Sequence, residues 1–260
     1  MMRIAIFSDV HGNLTALEAV LDDIKQQAPD MVAFAGDACL FGARPKECLD
    51  LIRDQNMVCV HGNTDLMVAG HALLSDDIKE ERNERQRTVE SLKEWTAVQL
   101  TAHDRNWLEG LPFLRRISPT TNLHHDLLIV HANPQDVDQP IYPSADQQQQ
   151  MWGEVRQPDA DLLPLMQETV AGVMAFGHYH VPSLRLWQDM LLANISSVSL
   201  PLDGDRRAKY GLLTWTAGGP NQGEWQVEHR RVEYDVEQAL QALAERQPPG
   251  WQELQKRLVP

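Results

Sequence analysis

The sequence has little positive charge, few cysteines and no long apolar run, and each shortage disfavours a class of protein. Lys and Arg total 23 against 37 Asp and Glu, and the net charge of −14 disfavours an anionic membrane surface or a stable nucleic-acid complex as partner. The three cysteines, Cys39, Cys48 and Cys59, form no CxxC pair, which is typical of a reducing cytoplasm. No stretch approaches the roughly 18 apolar residues of a membrane span, and the apolar run before Asp9 is too short for a signal sequence. We therefore expect a cytoplasmic protein.

The 260 residues, of which 43% are hydrophobic, are enough to bury a sizeable core, and we expect one domain over 1–260. Short apolar runs predict buried strands, and helical patterns separate the early ones, as in a largely parallel α/β sheet. The five runs cover residues 3–7, 31–35, 57–60, 127–130 and 173–176.

Helix signals lie between and after these runs. Apolar residues repeat at helical spacing from Leu14 to Ile24, and Pro45 suits the first position of a second helix. Residues 66–112 carry no strand pattern and predict a helical insertion, whose last helix begins at Thr101 with Asp104 three residues later. After the fifth run, short apolar segments predict antiparallel strands that close a second sheet, at 184–187, 191–195, 210–215 and 225–231.

Each of the five early runs ends in residue types that bind metal ions. Because ligand sites of open α/β sheets form beyond the carboxyl ends of the strands, these side chains can converge in space. The pairs at i and i+2, Asp9 with His11 and His178 with His180, can share one side of an extended backbone. The candidate ligands are Asp9, His11, Asp37, Asn63, His131, His178 and His180.

Nitrogen and oxygen donors without thiolate favour Mn, Fe, Zn or Ni over a structural cysteine–zinc site. Seven protein ligands exceed what one ion takes. If one carboxylate bridges, four protein ligands remain for each of two divalent ions, as in two-metal hydrolytic sites.

The ordered set Asp9-x-His11-Gly12-Asn13, Gly36-Asp37, Gly62-Asn63, His131 and Gly177-His178-x-His180 resembles the calcineurin-like metallophosphoesterase superfamily, in particular its small prokaryotic phosphodiesterase-like group. The resemblance runs from Met2 to about Val236. It implies a four-layer α-β-β-α sandwich of two mixed sheets. It also implies that Asp9, His11 and His180 hold one ion, that Asn63, His131 and His178 hold the other, and that Asp37 bridges them.

The implied reaction is in-line attack on phosphorus by a metal-bridging hydroxide, with a small phosphoester or nucleotide as substrate. Asp37, Asn63 and His131 are the expected catalytic residues, and Asn63, Asn13 and His61 are expected to bind substrate. Asn13 can equally be the cap of the first helix. Tyr179 can stack on a substrate base or simply cover the sheet edge.

Three positions depart from the pattern of the family. Thr64 stands where many members have a histidine, the general acid of the leaving group, and a hydroxyl is too weak an acid for that role. His61 replaces an arginine, and Ala132 replaces a glycine. These losses weaken the handling of a dianionic monoester, so we expect a phosphodiesterase. The alternatives are a dinucleoside polyphosphate hydrolase, a serine/threonine phosphatase and a non-catalytic metal-binding scaffold.

Overall fold

Strands and helices alternate along the first half of the chain, and antiparallel strands dominate the second. The computed structural model describes residues 1–70, 84–218 and 222–259. The strands are β1 (Met2–Phe7), β2 (Met31–Phe34), β3 (Val58–Cys59), β4 (Leu114–Ile117), β5 (Leu127–Val130), β6 (Val173–Phe176), β7 (Ser183–Trp187), β8 (Met190–Asn194), β9 (Ala208–Ala217) and β10 (Gly223–Val232). The α-helices are α1 (Leu14–Gln27), α2 (Pro45–Asp54), α3 (Asn63–Ala69), α4 (Glu84–Ala97), α5 (Ala102–Glu109), α6 (Ala145–Trp152), α7 (Leu163–Met166), α8 (Val236–Arg246) and α9 (Trp251–Leu258).

The strands form two mixed five-stranded sheets, ordered β10-β9-β1-β2-β3 and β4-β5-β6-β8-β7. Alternate apolar side chains of both sheets, including Ile6, Ile129 and Ile195, bury each other in one cluster. Helices cover the opposite faces: side chains of α1, α2, α8 and α9 pack behind the first sheet, and those of α7 pack behind the second. The predicted four-layer α-β-β-α sandwich is therefore confirmed.

The expectation of one largely parallel sheet for the five early runs is wrong. β1, β2 and β3 are parallel neighbours in the first sheet, whereas β5 and β6 are parallel neighbours in the second. The four later strands do not close the second sheet together either. β7 and β8 join it, but β9 pairs antiparallel with β1, so that Ile4 faces Leu213. An apolar run indicates that a strand is buried, but it does not indicate the neighbouring strand, because strand pairing joins distant parts of the chain.

The helix starts predicted from local signals agree with the structure. α1 begins after Asn13, α2 has Pro45 in its first turn, and Thr101 with Asp104 forms the capping box of α5. Strand β4 was not predicted, because it is an edge strand whose exposed Arg115 and Arg116 break the apolar pattern.

Helices α4 and α5 lie within the predicted insertion, of which residues 71–83 are outside the described part. That 66–112 forms an insertion remains a prediction. Across the residues that the structure describes, no helix combines the length and apolarity needed to cross a bilayer.

Candidate metal centre

The loops that follow β1, β2, β3, β5 and β6 meet at one edge of the sandwich. Backbone hydrogen bonds join them: the Asp9 N–H donates to the Gly36 carbonyl (2.9 Å), and the Gly177 N–H donates to that of His131 (2.9 Å). All seven predicted ligands are brought together by these loops. Six of the seven are buried, and His178 is partly buried.

A first group joins the loop after β1 to the loop after β6. His180 Nε2 lies 3.0 Å from Asp9 Oδ1 and 3.3 Å from His11 Nε2, and His11 Nε2 lies 3.7 Å from the same Asp9 oxygen. Three donor atoms so close together can hold one cation.

A second group surrounds His131. Its Nε2 lies 3.0 Å from Asn63 Oδ1 and 3.2 Å from His178 Nδ1. Asp37 Oδ2 stands between the two groups, 3.5 Å from His131 Nε2 and 3.8 Å from His11 Nε2. Asp9, Asp37 and His131 form a further set of donors that are close enough together to hold an ion. The carboxylates of Asp9 and Asp37 therefore both lie near the centre of the cluster.

Carbonyl oxygens fix which ring nitrogen of each histidine faces the cluster. The Nδ1–H groups of His11, His131 and His180 donate to the carbonyls of Leu40, Ala35 and Leu200 at 2.8, 2.9 and 2.7 Å. A carbonyl only accepts, so in the neutral rings the facing Nε2 atoms carry lone pairs. His178 is reversed: its Nε2–H donates to the Asp138 carbonyl (2.7 Å), and its Nδ1 faces inward.

Lone pairs therefore face lone pairs and carboxylates across 3.0–3.8 Å. Such a donor set repels itself unless a cation lies within it. The residues present thus fit divalent metal, and the outward N–H···O=C bonds are the orienting contacts that metal-binding histidines make.

The backbone at the paired ligands is not extended, contrary to expectation. Asp9 (φ 56°), His11 (φ 49°), His178 (φ 64°) and His180 (φ 57°) all adopt the left-handed region, and so does Asp37 (φ 66°). Asp and His tolerate this region better than most residues, but it carries strain that clusters at functional sites. The i, i+2 side chains converge because the loops coil around the site, and not because a strand alternates.

Burial and mutual charge control the protonation of the site. Burial, helped by His180, lowers the pKa of His11 to about 3, and burial with His131 lowers that of His178 to about 4. Burial raises the pKa of Asp37 to about 7, against the opposing effect of His131. Burial also works against ionisation of Asp9, yet His180 and His131 hold its pKa well below the usual range. The low pKa values of His11 and His178 keep their lone pairs available at neutral pH. Burial alone would lower the pKa of His131 too, but the neighbouring carboxylates of Asp37 and Asp9 raise it.

Two acidic residues that the sequence did not single out position the ligands. Asp65 accepts hydrogen bonds from the N–H groups of Asp37, Ala38 and Gly62 (2.8–2.9 Å), and so joins the loops after β2 and β3. Its spacing of three from Gly62, as in a capping box, is a signal that could have revealed it. Asp138 accepts from Asn63 Nδ2 (2.7 Å) and lies in an irregular loop without any motif.

The structure places Asn13, His61 and Thr64 close to the donor cluster, and their roles toward substrate remain predictions. Asn13 caps α1: its Oδ1 accepts from the Ala16 N–H (3.2 Å), while its Nδ2 donates to Ser199 Oγ (3.1 Å). His61 is buried with its ring 5.9 Å from that of Phe113. The Thr64 N–H donates to Asp37 Oδ1 (3.0 Å).

Tyr179 packs against other aromatic rings near the site. Its ring lies 4.8 Å from that of Tyr142 and 6.1 Å from that of Trp152. The side chain is partly buried, so part of it stays accessible. A role in stacking on substrate remains a prediction.

The sequence profile of the calcineurin-like phosphoesterase superfamily domain matches residues 2–218. The chain belongs to this superfamily. It is 28% identical over 251 residues to an uncharacterised protein of Methanocaldococcus jannaschii, covering 95% of this chain and 94% of the relative. A metallophosphoesterase from Sphaerobacter thermophilus has a similar structure, with 27% identity, a TM-score of 0.66, and 99% and 98% of the two chains covered. A hypothetical protein from Pyrococcus horikoshii shares the fold, with 18% identity, a TM-score of 0.74, and 100% and 98% covered.

Membership of this metal-dependent family makes the protein a hydrolase of phosphoester bonds. The donor cluster lies where the loops after strands of both sheets meet. The family by itself leaves open the type of ester, the number of ions and the role of each ligand.

Proposed function

We propose that the protein is a phosphodiesterase that works with two divalent transition-metal ions, of Mn, Fe, Zn or Ni type. One observation carries this proposal. In each of two histidine pairs, the ring nitrogens that face each other accept from no N–H group of the described residues, and the two pairs are His11 with His180 and His131 with His178. The Asp37 Oδ2 atom lies between the pairs. Two clusters of donors that share a carboxylate match two cations better than one.

The proposed roles follow these contacts. Asp9, His11 and His180 hold one ion, Asn63, His131 and His178 hold the other, and Asp37 serves both. When bound, the ions supply Lewis acidity toward phosphoryl oxygens and lower the pKa of water. Asn63, whose Oδ1 faces His131, also orients the substrate, and Asp138 keeps its amide in that orientation.

The proposed preference for diesters rests on two residues beside Asn63 in the chain, His61 and Thr64. Thr64 offers a buried hydroxyl as a proton donor, and His61 replaces a permanently charged arginine. A monoester dianion and a poor leaving group are both handled weakly by such a site. Substrates with acidic leaving groups are therefore expected to react far faster than alkyl esters.

The proposed substrate is a small phosphoester or a nucleotide, and the cytoplasm is the proposed compartment. Cys39, Cys48 and Cys59 are free and buried, in keeping with a reducing environment.

The deciding experiment measures hydrolysis of bis(p-nitrophenyl) phosphate beside p-nitrophenyl phosphate. Protein treated with chelator is reloaded with Mn²⁺, Ni²⁺, Zn²⁺ or Mg²⁺ separately, and bound metal is counted by elemental analysis. We expect a transition metal to restore turnover at about two ions per chain, with the diester preferred.

Two results would contradict the proposal. Preference for the monoester would point to a phosphatase. Folded protein that binds two ions without hydrolysing either substrate would indicate a scaffold or a specialised substrate. Replacing His131 by Asn is the matched negative control, because the variant should keep the fold but loses the central donor of the second group.

A further inference from the structure

The segment 195–207, which joins β8 to β9, lies against both ligand loops of the first donor group. The Ser199 N–H donates to the Asp9 carbonyl (3.0 Å), and the Leu202 N–H donates to the His180 carbonyl (3.3 Å). The conformation of this segment therefore affects two of the three donors in that group.

Leu200, in the middle of the segment, sets the orientation of His180. Its carbonyl oxygen accepts the Nδ1–H of His180 (2.7 Å), which leaves Nε2 directed at Asp9 and His11. Leu200 has φ 53°, in the left-handed region that a leucine seldom adopts. Such a conformation persists only where the surrounding structure over-determines it. The backbone around Leu200 therefore needs support on both sides.

Lys209 supplies this support from strand β9. Its backbone N–H donates to the Ser197 carbonyl (2.9 Å), which precedes the strained leucine in the chain. Its Nζ atom donates to the carbonyls of Asp205 and Arg207 and forms an ion pair with Asp203 Oδ1 (3.0 Å), all of which follow that leucine. One residue thus fastens the segment on either side of the strained position.

The ammonium of Lys209 has contacts that a surface lysine does not make. The side chain is fully buried, which is rare for lysine. Burial lowers its pKa, and the hydrogen bond and charge of Asp203 oppose this effect. Three acceptor oxygens match the three N–H donors of an ammonium. The arrangement holds the segment firmly, since removing the cation would deprive all three oxygens of a donor.

We propose that Lys209 is a positioning residue of the candidate metal centre. It holds the Leu200 carbonyl in place, and this carbonyl directs His180 Nε2 at the ion proposed for Asp9, His11 and His180. The inference rests on the proposed function, because it takes His180 to be a ligand of that ion. Since Lys209 acts through the segment and His180, it strengthens the binding of one ion and leaves the binding of the other unchanged.

The test is calorimetric titration of the metal-free protein with Mn²⁺, which does not depend on turnover. His180→Asn identifies the binding step that belongs to the first donor group. We expect Lys209→Met to weaken that same step about tenfold or more, as is usual for groups that orient metal ligands, and to leave the other step at its wild-type affinity. In the double variant K209M/H180N the lysine substitution should have no further effect on metal binding, because its route through His180 is already lost.

Lys25→Met is the matched control, because it removes the same charge from an exposed position on α1 and should keep both affinities. Unchanged affinities in K209M, or an equal loss in both steps, would overturn the inference and make Lys209 a residue of general stability. If K209M does not fold, Asp203→Asn decides, because it keeps an acceptor oxygen but loses the charge that pairs with Lys209. D203N should weaken the same step by a smaller factor, and an unchanged step would overturn the inference.

The outcome is separable from that of the proposed function. Wild-type protein that binds Mn²⁺ but hydrolyses neither p-nitrophenyl ester would contradict the proposed function, while the comparison of K209M with wild type still decides the role of Lys209. If the wild type binds a single ion, weaker binding in K209M supports the inference and unchanged binding overturns it. Wild-type protein that binds no Mn²⁺ would overturn both.

Discussion

At the scale of single residues, the candidate centre is built from groups that are costly to bury. Asp9 and Asp37 are both at most 2% exposed, and the nearest ring nitrogens carry lone pairs. Backbone N–H groups relieve part of the cost: the His178 N–H donates to Asp9 Oδ2 (2.9 Å) and the Thr64 N–H to Asp37 Oδ1 (3.0 Å). Packing is equally tight, because a Cβ on Gly62 would collide with the Asp37 carboxylate. The site is therefore preorganised by the protein before any ligand binds.

Asp37→Asn separates function from stability at this scale. We expect turnover to fall at least about 100-fold, because the shared carboxylate charge is lost. The metal-free variant should melt no lower than the metal-free wild type, since burial, Asp9 and Asp65 already disfavour the Asp37 charge. Calorimetry without metal, beside activity with metal, checks both halves.

The control for this prediction is Asp161→Asn, at an exposed position remote from the cluster. It should leave both activity and midpoint at wild-type values. A metal-free D37N protein that melts several degrees lower would show that Asp37 is mainly structural.

At the scale of elements, short loops and capped helices hold the ligands in register. Each ligand loop follows a buried strand, so its starting point is fixed by the sheet and its end by a helix or a further strand. Helix α3 begins at the candidate ligand Asn63, and the N-terminal residue of α1 follows Asn13 directly. Helix α5 in turn supports α2 from the outside through Asp104, whose Oδ1 accepts a hydrogen bond from Arg53 of α2 at 2.7 Å.

Asp104→Asn tests this support. Burial raises the pKa of Asp104, but hydrogen bonds from Thr101 and Arg53 prevail and hold it at about 2. We expect the variant to lose about 2 kcal/mol of unfolding free energy at neutral pH, because Asp104 is 1% exposed and its donors lose their partner. Denaturant titration measures this loss.

The same pKa sets the pH window. The folded-state value lies below the ordinary 3.8, so the stabilisation is present above about pH 4 and is lost as the pH falls towards 2. Wild type and D104N should converge in stability across that interval. His103→Gln, at the exposed neighbouring position, should follow the wild type, and a constant difference at every pH would refute the electrostatic explanation.

At the scale of the whole molecule, the loops of the two sheets meet at a common edge. The candidate metal centre forms there because donors from both sheets come together. The backbone bond from Gly177 to His131 lies within the second sheet, whereas the contact of His131 Nδ1 with the Ala35 carbonyl joins the two sheets. The chain as a whole carries a net charge of −14, which raises the concentration of cations around the protein. Metal binding should therefore couple to the stability of the entire sandwich.

Adding Mn²⁺ to the metal-free protein should raise its unfolding free energy by about 2.7 kcal/mol at a hundredfold excess over the dissociation constant. Differential scanning calorimetry at constant ionic strength measures the rise. H180N should abolish most of it, because His180 contacts both Asp9 and His11. The same rise in H180N would mean that the ions act through general screening of the negative charge.

The amino-acid sequence alone indicates the seven candidate donors, the strands they follow, the start of α2 at Pro45 and the capping box of α5. These features are local: a buried run, a residue type directly after it, and a cap three residues from its partner. The resemblance also supplied the two-sheet architecture, which the fold confirms. The roles of the individual donors remain predictions.

Features that depend on contacts between distant parts of the chain are visible only in the folded molecule. In the folded chain β9 pairs with β1, and β3 and β5 lie in different sheets. The left-handed backbone at Asp9 and His180 results from packing between loops, and no periodicity encodes it. Asp138 and Lys209 reach the neighbourhood of the site from an irregular loop and from strand β9, which are far apart in the sequence. Chain proximity in space is set by the sum of many weak non-local contacts, so a single sequence does not display it.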